Sequence, residues 1–170
     1  MALTIRSPEF VDQLSLVDFI CRASPLKYKV LIKEHPAMIG MIGVFSLRKL
    51  LKKYDNLIVL NPNMNNFDIL KGSSVVVTIN SKAGMESLIL NKKTITLGDA
   101  FYDTYEGANK THITDLPVKL NNISSLNSAG EIGRMLSAVY SETCYGELYV
   151  LDSGNVSKFG SSILEYIKGF

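Results

Sequence analysis

Tryptophan is missing altogether from these 170 residues, histidine and cysteine occur twice each, and proline five times. Cys21 and Cys144 lack Cys-x-x-Cys spacing and nearby histidines, which argues against a structural zinc and fits a reducing compartment. Neither sign of charge prevails. The 18 basic and 16 acidic residues are spread along the chain, leaving a formal charge of +2 and no basic groove for nucleic acid. No apolar run reaches the roughly 18 to 20 residues of a membrane helix, and no charged-then-apolar signal pattern opens the chain. The expected location is therefore cytoplasmic. A Gly-x-Ser-x-Gly elbow is absent too, and spacing sets up no Cys/His pair, so a stand-alone hydrolase is disfavoured. The length suits one domain, residues 1–170, with a sizeable core.

What the chain does have is a strand-to-helix junction in its middle. Val75-Val76-Val77-Thr78-Ile79 is β-branched and nearly all apolar, as in a parallel strand covered on both faces. Ser81 is placed to cap the helix that follows. Such a cap, the first-turn N–H groups and the positive end of the helix dipole together suit an anion such as phosphate. Gly84 suits close approach of a ligand, and Lys93-Thr94-Ile95-Thr96-Leu97 supplies the next strand, ending at Gly98-Asp99.

Upstream, Ser7-Pro8 reads as a cap and first-turn proline for a helix running to Cys21 or Ala23. Tyr28 to Lys33 reads as a strand that leaves His35 at its carboxyl end, before Pro36. Ala37 to Val44 is an apolar, glycine-broken loop, Ser46 to Tyr54 a basic helix, Leu57 to Leu60 a strand, and Phe67 to Lys71 a brief helix. This alternation predicts α/β architecture, a Rossmann-like, doubly wound parallel sheet of four or more strands. Further on, Ile113 to Leu116 reads as extended. Asn127-Ser128 is expected to cap a helix from Ala129 to Tyr140 that buries Ile132, Met135, Leu136 and Val139, and Val156 to Lys168 forms the last helix.

Ligands of open α/β sheets lie beyond the carboxyl ends of the strands, so His35, Asn61, Asn80, Ser81, Gly98 and Asp99 are expected to share one crevice. Each has an ordinary explanation as well. His35 suits a solvent-exposed position, Ser81 a plain cap, Gly84 helix-to-sheet packing, and Glu86 a first-turn carboxylate complementing the helix dipole. The methionines Met38, Met41 and Met64 read as apolar filler.

In combination, Lys33-Glu34-His35-Pro36, Asn61-Pro62 with Asn66 and Phe67, Thr78 through Leu88, Asn91-Lys92-Lys93 and Thr96 through Asp103 resemble the capsule polysaccharide glycosyltransferases, the Kdo-transferring branch in particular. The resemblance spans Tyr28 to Leu116. It implies the C-terminal, donor-nucleotide lobe of a two-lobed GT-B enzyme, similar in layout to bacterial sialyltransferases that use CMP-activated acidic sugars without a metal. By the same resemblance, His35 contacts the donor phosphate and assists its departure, and Ser81 binds that phosphate. Gly84 and Glu86 match the glycine and glutamate that follow. Lys82 stands where the family usually has a small residue or threonine, and is either a further phosphate donor or a solvated side chain.

The implied partners are a nucleotide-sugar donor and a glycan or glycolipid acceptor held by an N-terminal lobe, with no cofactor. The implied place is the cytoplasmic face of the inner membrane. These 170 residues hold no recognisable acceptor lobe, and the family's first strand is not recognisable upstream of Pro8, so the chain is expected to be a fragment of a larger two-lobed protein and inactive alone. Alternatives from the residues are a UDP-sugar transferase or epimerase lobe and a non-catalytic α/β interaction module. The latter is disfavoured because Lys33, Leu60 and Ile79 occupy strand ends where a response regulator needs acidic residues.

Overall fold

The computed structural model describes residues 7–35, 39–40, 42–128, 130, 132–146 and 150–168. They form two compact units, Met1–Gly130 and Glu131–Phe170. Pro36 and the methionines at 38 and 41 lie outside the described residues.

The first unit alternates helix and strand: α1 (Gln13–Ala23), β1 (Val30–Ile32), α2 (Val44–Lys53), β2 (Leu57–Val59), α3 (Asn66–Gly72), β3 (Val75–Thr78), α4 (Lys82–Ile89), β4 (Lys93–Thr96) and α5 (Leu116–Asn121). Local chemistry explains most boundaries. Asp12 caps α1 by accepting from Ser15 N at 3.1 Å, Asn65 caps α3 by accepting from Phe67 N at 2.8 Å, and Ser81 caps α4. The cap expected at Ser7 is not made; a 3-10 turn, Pro8–Phe10, intervenes, and the Ser7 hydroxyl is engaged elsewhere.

β1 pairs in parallel with β2 (Val30 opposite Leu57) and β3 with β4 (Val75 opposite Lys93). Of the expected parallel sheet of four or more strands, hydrogen bonding among the described residues yields two separate two-stranded pairs. Both pairs nevertheless point the same way. Ser7, just before α1, is bonded to Asp99 beyond the carboxyl end of β4, whereas Cys21 near the end of α1 accepts from Asn56 at the amino end of β2. Helix α1 therefore runs antiparallel to both pairs. One face carries α1 with α2 and α5, and α3 packs with α4. The unit is a mixed α/β arrangement of short parallel strand pairs, compatible with a Rossmann-like fold.

The core joins Phe10, Ile95, Leu97, Leu116, Leu120 and Leu126, with Leu16, Phe19 and Ile20 of α1 laid against it. Each fully buried side chain of this kind contributes about 1.5 to 3 kcal/mol. The segment Ile113 to Leu116 is not extended. His112 accepts from Thr114 N to cap a 3-10 turn, and Pro117 sits in the first turn of α5, where its missing N–H costs nothing.

The second unit holds α6 (Ile132–Ser141) and α7 (Ser153–Lys168). Ser162 Oγ accepts from Tyr145 N at 2.8 Å, and Gly146, at φ +123°, lies against Phe159. Ile132, Met135, Leu136 and Val139 face inward as the pattern requires but are only half-buried. Leu151 and Ile167 are exposed.

Candidate functional site

The junction between β3 and α4 is tightly built. Thr78 Oγ1 accepts from Ser81 N at 3.2 Å, Ser81 Oγ accepts from Ala83 N at 3.2 Å, and the Tyr102 hydroxyl donates to the Ser81 carbonyl at 2.5 Å. Tyr102 is fully buried, and burial pushes its phenol above the ordinary value. A Cβ on Gly84 would lie 2.1 Å from the Tyr102 hydroxyl and 2.8 Å from Thr78 Cγ2, so helix, strand and tyrosine meet only because residue 84 has no side chain. Beneath them, Ser87 Oγ donates to the Gly84 carbonyl at 2.6 Å and meets Thr94 Oγ1 at 2.7 Å.

Ser81 and Lys82 are exposed at this helix start. Glu86, expected in the first turn, lies beyond it because α4 begins at Lys82. Its Oε2 is buried and has no hydrogen-bond partner. Such an atom keeps its desolvation cost until something donates to it.

At the end of β4, Ser7 Oγ accepts from Asp99 N at 3.0 Å and from Asn80 Nδ2 at 3.4 Å. Gly98 leaves room for it, since a Cβ there would lie 2.1 Å from the same oxygen. Lys110 Nζ donates to the Gly98 carbonyl at 2.6 Å and forms ion pairs with Asp99 at 2.9 Å and Asp103 at 2.7 Å. Burial alone would lower the Lys110 ammonium, but the bonds to Asp103 and Asp99 carry it above the ordinary lysine value.

The β1 and β2 ends are more open. His35 is exposed, three residues beyond Ile32. The Glu34 carboxylate before it accepts from Gly40 N at 3.2 Å and Ile42 N at 3.1 Å, bracing the turn that leads to α2. Lys33 Nζ reaches the Met64 carbonyl at 3.0 Å, linking the loops after β1 and β2. Asn61 Oδ1 accepts from Asn63 N at 2.9 Å, a local turn.

Asn80, Ser81, Gly98 and Asp99 thus gather around Ser7 and the α4 start, while His35 and Asn61 occupy the same edge on the other strand pair. Three participants escaped the sequence reading: Ser7, Tyr102 and Lys110. In the sequence Ser7 reads only as a helix cap, Tyr102 lies inside the Thr96 through Asp103 stretch with no role of its own, and Lys110 simply follows a polar turn. Two concavities elsewhere, one along α7 and one between α1 and α2, do not touch these residues. Among the described residues, no group of three or more His, Cys, Asp or Glu side chains is placed to hold a metal, and no helix is long and apolar enough to cross a membrane.

Comparison with known proteins adds a decisive match: residues 2–115 correspond to the family described as capsule polysaccharide biosynthesis protein. The chain belongs to that family. Membership points to a role in surface-polysaccharide synthesis. The chain is also 31% identical over 132 residues, 76% of its length, to Protein FixF of Sinorhizobium fredii (strain NBRC 101917 / NGR234), and spans 29% of that protein. No solved structure matches it. The family match includes every strand and strand end described above, and it stops before α5 and the second unit.

Proposed function

We propose that the first unit is the donor-nucleotide lobe of a capsule or surface-polysaccharide glycosyltransferase and that its ligand is a CMP-sugar. The observation that carries this reading is the β3–α4 junction: a Ser81-capped helix start beside Asn80 and Asp99, with a buried, unpartnered Glu86 oxygen on the same helix. An anion at the helix start and a hydroxyl donor at Glu86 would satisfy both features, and a nucleotide carries both groups.

In the reaction, the bond between the anomeric carbon and the phosphate oxygen breaks, and its electron pair stays on the phosphate. Ser81 Oγ, the α4 amides and Lys82 stabilise that charge, and His35 donates to the departing oxygen. Asn61, Asn80, Gly98 and Asp99 line the nucleotide side. No metal is needed for these steps. The acceptor glycan or glycolipid and its activating base belong to a further lobe of the complete protein, at the cytoplasmic face of the inner membrane.

Calorimetric titration with CMP, cytidine, UDP and ADP tests the reading. CMP should bind weakly but measurably, cytidine more weakly, and the 170 residues alone should transfer no sugar, because holding both substrates is worth on the order of 7 to 11 kcal/mol of barrier. Preference for UDP would move the assignment to a UDP-sugar transferase or epimerase lobe. Failure to bind any nucleotide would leave the non-catalytic interaction module.

A further inference from the structure

From His35 to Tyr54 the chain holds no Asp or Glu, yet α2 brings in Arg48, Lys49, Lys52 and Lys53. We propose that the outward face of α2 docks on a bilayer surface rich in anionic phospholipid, with Val44 and Phe45 seated among the headgroups and Arg48 and Lys52 paired with their phosphates. Helical spacing makes this one face. Leu47 and Leu50 are half-buried and turn toward the rest of the first unit, whereas Val44, Phe45, Arg48, Leu51 and Lys52 are exposed. Arg48 and Lys52 follow Phe45 by three and seven residues, so the ring and both cations share one side, and Val44 and Leu51 run along the neighbouring stripe. Phe45 is 81% exposed and Val44 56%. Isolated apolar residues on a surface are ordinary, but a phenylalanine bracketed by cations on a helix without acids is the pattern of a helix that lies at a membrane interface.

The fold does not use these cations. Lys29, Lys33, Lys92 and Lys93 each donate to a backbone carbonyl, Arg22 and Lys53 pair with Asp18, and Lys110 pairs with Asp99 and Asp103. Among the described residues, Arg48 and Lys52 make neither an ion pair nor a hydrogen bond. Lys49 leans the other way, lining the groove between α1 and α2 with Asp12 and Asp18. The negative end of the helix dipole accounts for cations in the last turn, Lys52 and Lys53, but not for Arg48 in mid-helix.

Charge decides the occupant. A second copy would set cation against cation. An acidic glycan would meet the cations and leave Val44 and Phe45 in water, and the balanced charge of the rest of the chain gives a nucleic-acid backbone nothing further to follow. A bilayer presents phosphates above an apolar layer and answers both features. Among the described residues no helix is long and apolar enough to cross a membrane, so the contact is one of lying on the surface. The face uses no residue of the β3–α4 junction, and the inference therefore stands apart from the nucleotide reading.

Sedimentation of the intact chain with vesicles tests it. The chain should pellet with vesicles of equal parts phosphatidylcholine and phosphatidylglycerol but not with phosphatidylcholine alone, and added salt should release it. Phe45→Ser, and separately Arg48→Gln with Lys52→Gln, should weaken that binding by about tenfold or more and leave the urea midpoint unchanged, because these side chains are exposed. Lys158→Gln with Lys168→Gln removes the same charge from exposed positions of α7 and should change binding by no more than about twofold. Failure to bind the mixed vesicles, equal binding to both compositions, α2 variants that bind like the unmodified chain, or an α7 pair that weakens binding as much as the α2 pair would each overturn the inference. So would retention on RNA or an acidic glycan that depends on Arg48 and Lys52 but not on Phe45, with no vesicle binding. A chain that binds the vesicles but no nucleotide would uphold this face and end the donor-lobe reading, and the reverse result would do the opposite.

Discussion

The first unit contains two parallel strand pairs that do the same topological job by different means. Around β3 and β4, a buried tyrosine, two close-packed glycines and the buried Ser87–Thr94 contact lock the turn, and Ile95, Thr94 and Thr96 are wholly enclosed. Around β1 and β2, the ladder is three residues long, Leu31 and Ile58 are 44% and 40% exposed, and the flanking helices are joined by surface charges. The phosphate side of the proposed site is therefore fixed by packing, and the histidine side by local hydrogen bonds such as those of Glu34. Preorganised helix amides need the first arrangement; a group that must meet and release a leaving phosphate can work with the second.

The strongest way to break this comparison is to put a methyl group on each side. Gly84→Ala should cost about 3 kcal/mol of stability, because the added carbon has no space between Tyr102 and Thr78. Gly72→Ala, at the end of α3 on the way out of the β2 side, meets no atom within 4 Å and should change stability by no more than about 1 kcal/mol. Urea midpoints for the two variants measure the contrast. Equal midpoints would mean that the β3–α4 junction is not the rigid half.

Next in size is a contrast in binding. His35→Ala should weaken CMP affinity by about 1.5 to 3 kcal/mol, the worth of a charge-assisted hydrogen bond, and leave the urea midpoint nearly unchanged because His35 is exposed. Cytidine affinity should not move. Ser81→Ala should lower stability by about 1 kcal/mol through the lost cap and weaken CMP as well. If His35→Ala weakens CMP and cytidine equally, the histidine shapes the pocket and does not meet the phosphate.

Glu86→Gln sharpens the comparison within α4. Its buried Oε2 has no partner, so the loss of charge should leave stability level or raise it by up to about 1 kcal/mol, while CMP binding weakens if a ligand hydroxyl donates there. A clear loss of stability with unchanged affinity would assign the carboxylate to the fold alone.

Features that depend on neighbours in sequence were legible before the structure. The β-branched run of β3 and the serine cap three residues past it are local patterns that appear where the spacing puts them, whereas α1 begins only at Gln13, after the 3-10 turn at Pro8–Phe10, and the stripe of α6 is only half-buried. What escaped was long-range. Ser7 looks like a helix cap because a proline follows it, yet its hydroxyl serves Asp99 N, 92 residues away. Tyr102 looks like part of a polar loop until Gly84 is seen to leave space for its hydroxyl. Ile113 and Thr114 have strand propensity, but the His112 cap and Pro117 prevail over it. Strand pairing is likewise a tertiary choice, which is why alternation predicted one sheet while hydrogen bonding among the described residues forms two pairs.

The smallest effect concerns how the β1–β2 side is held together. Asp18 of α1 accepts from Lys53 of α2 at 2.6 Å and from the Tyr54 hydroxyl at 2.9 Å, and pairs with Arg22 at 3.1 Å. The hydrogen bond from Lys53, followed by that from Tyr54 and the Arg22 charge, holds the Asp18 carboxyl below its ordinary value of 3.8. A depressed carboxylate contributes stability that is present above the unfolded-state pKa and is lost as pH falls through the folded one. Asp18→Asn should therefore lower the urea midpoint slightly at neutral pH, and the difference from the unmodified chain should fade below about pH 4. Because Lys53 is more than half exposed, added salt should shrink the same difference. Amide exchange can locate the effect, which should be confined to α1, α2, β1 and β2. If β3 and β4 open to the same extent, the two pairs share one cooperative unit already, and the distinction between a packed half and a charge-tied half does not extend to their dynamics.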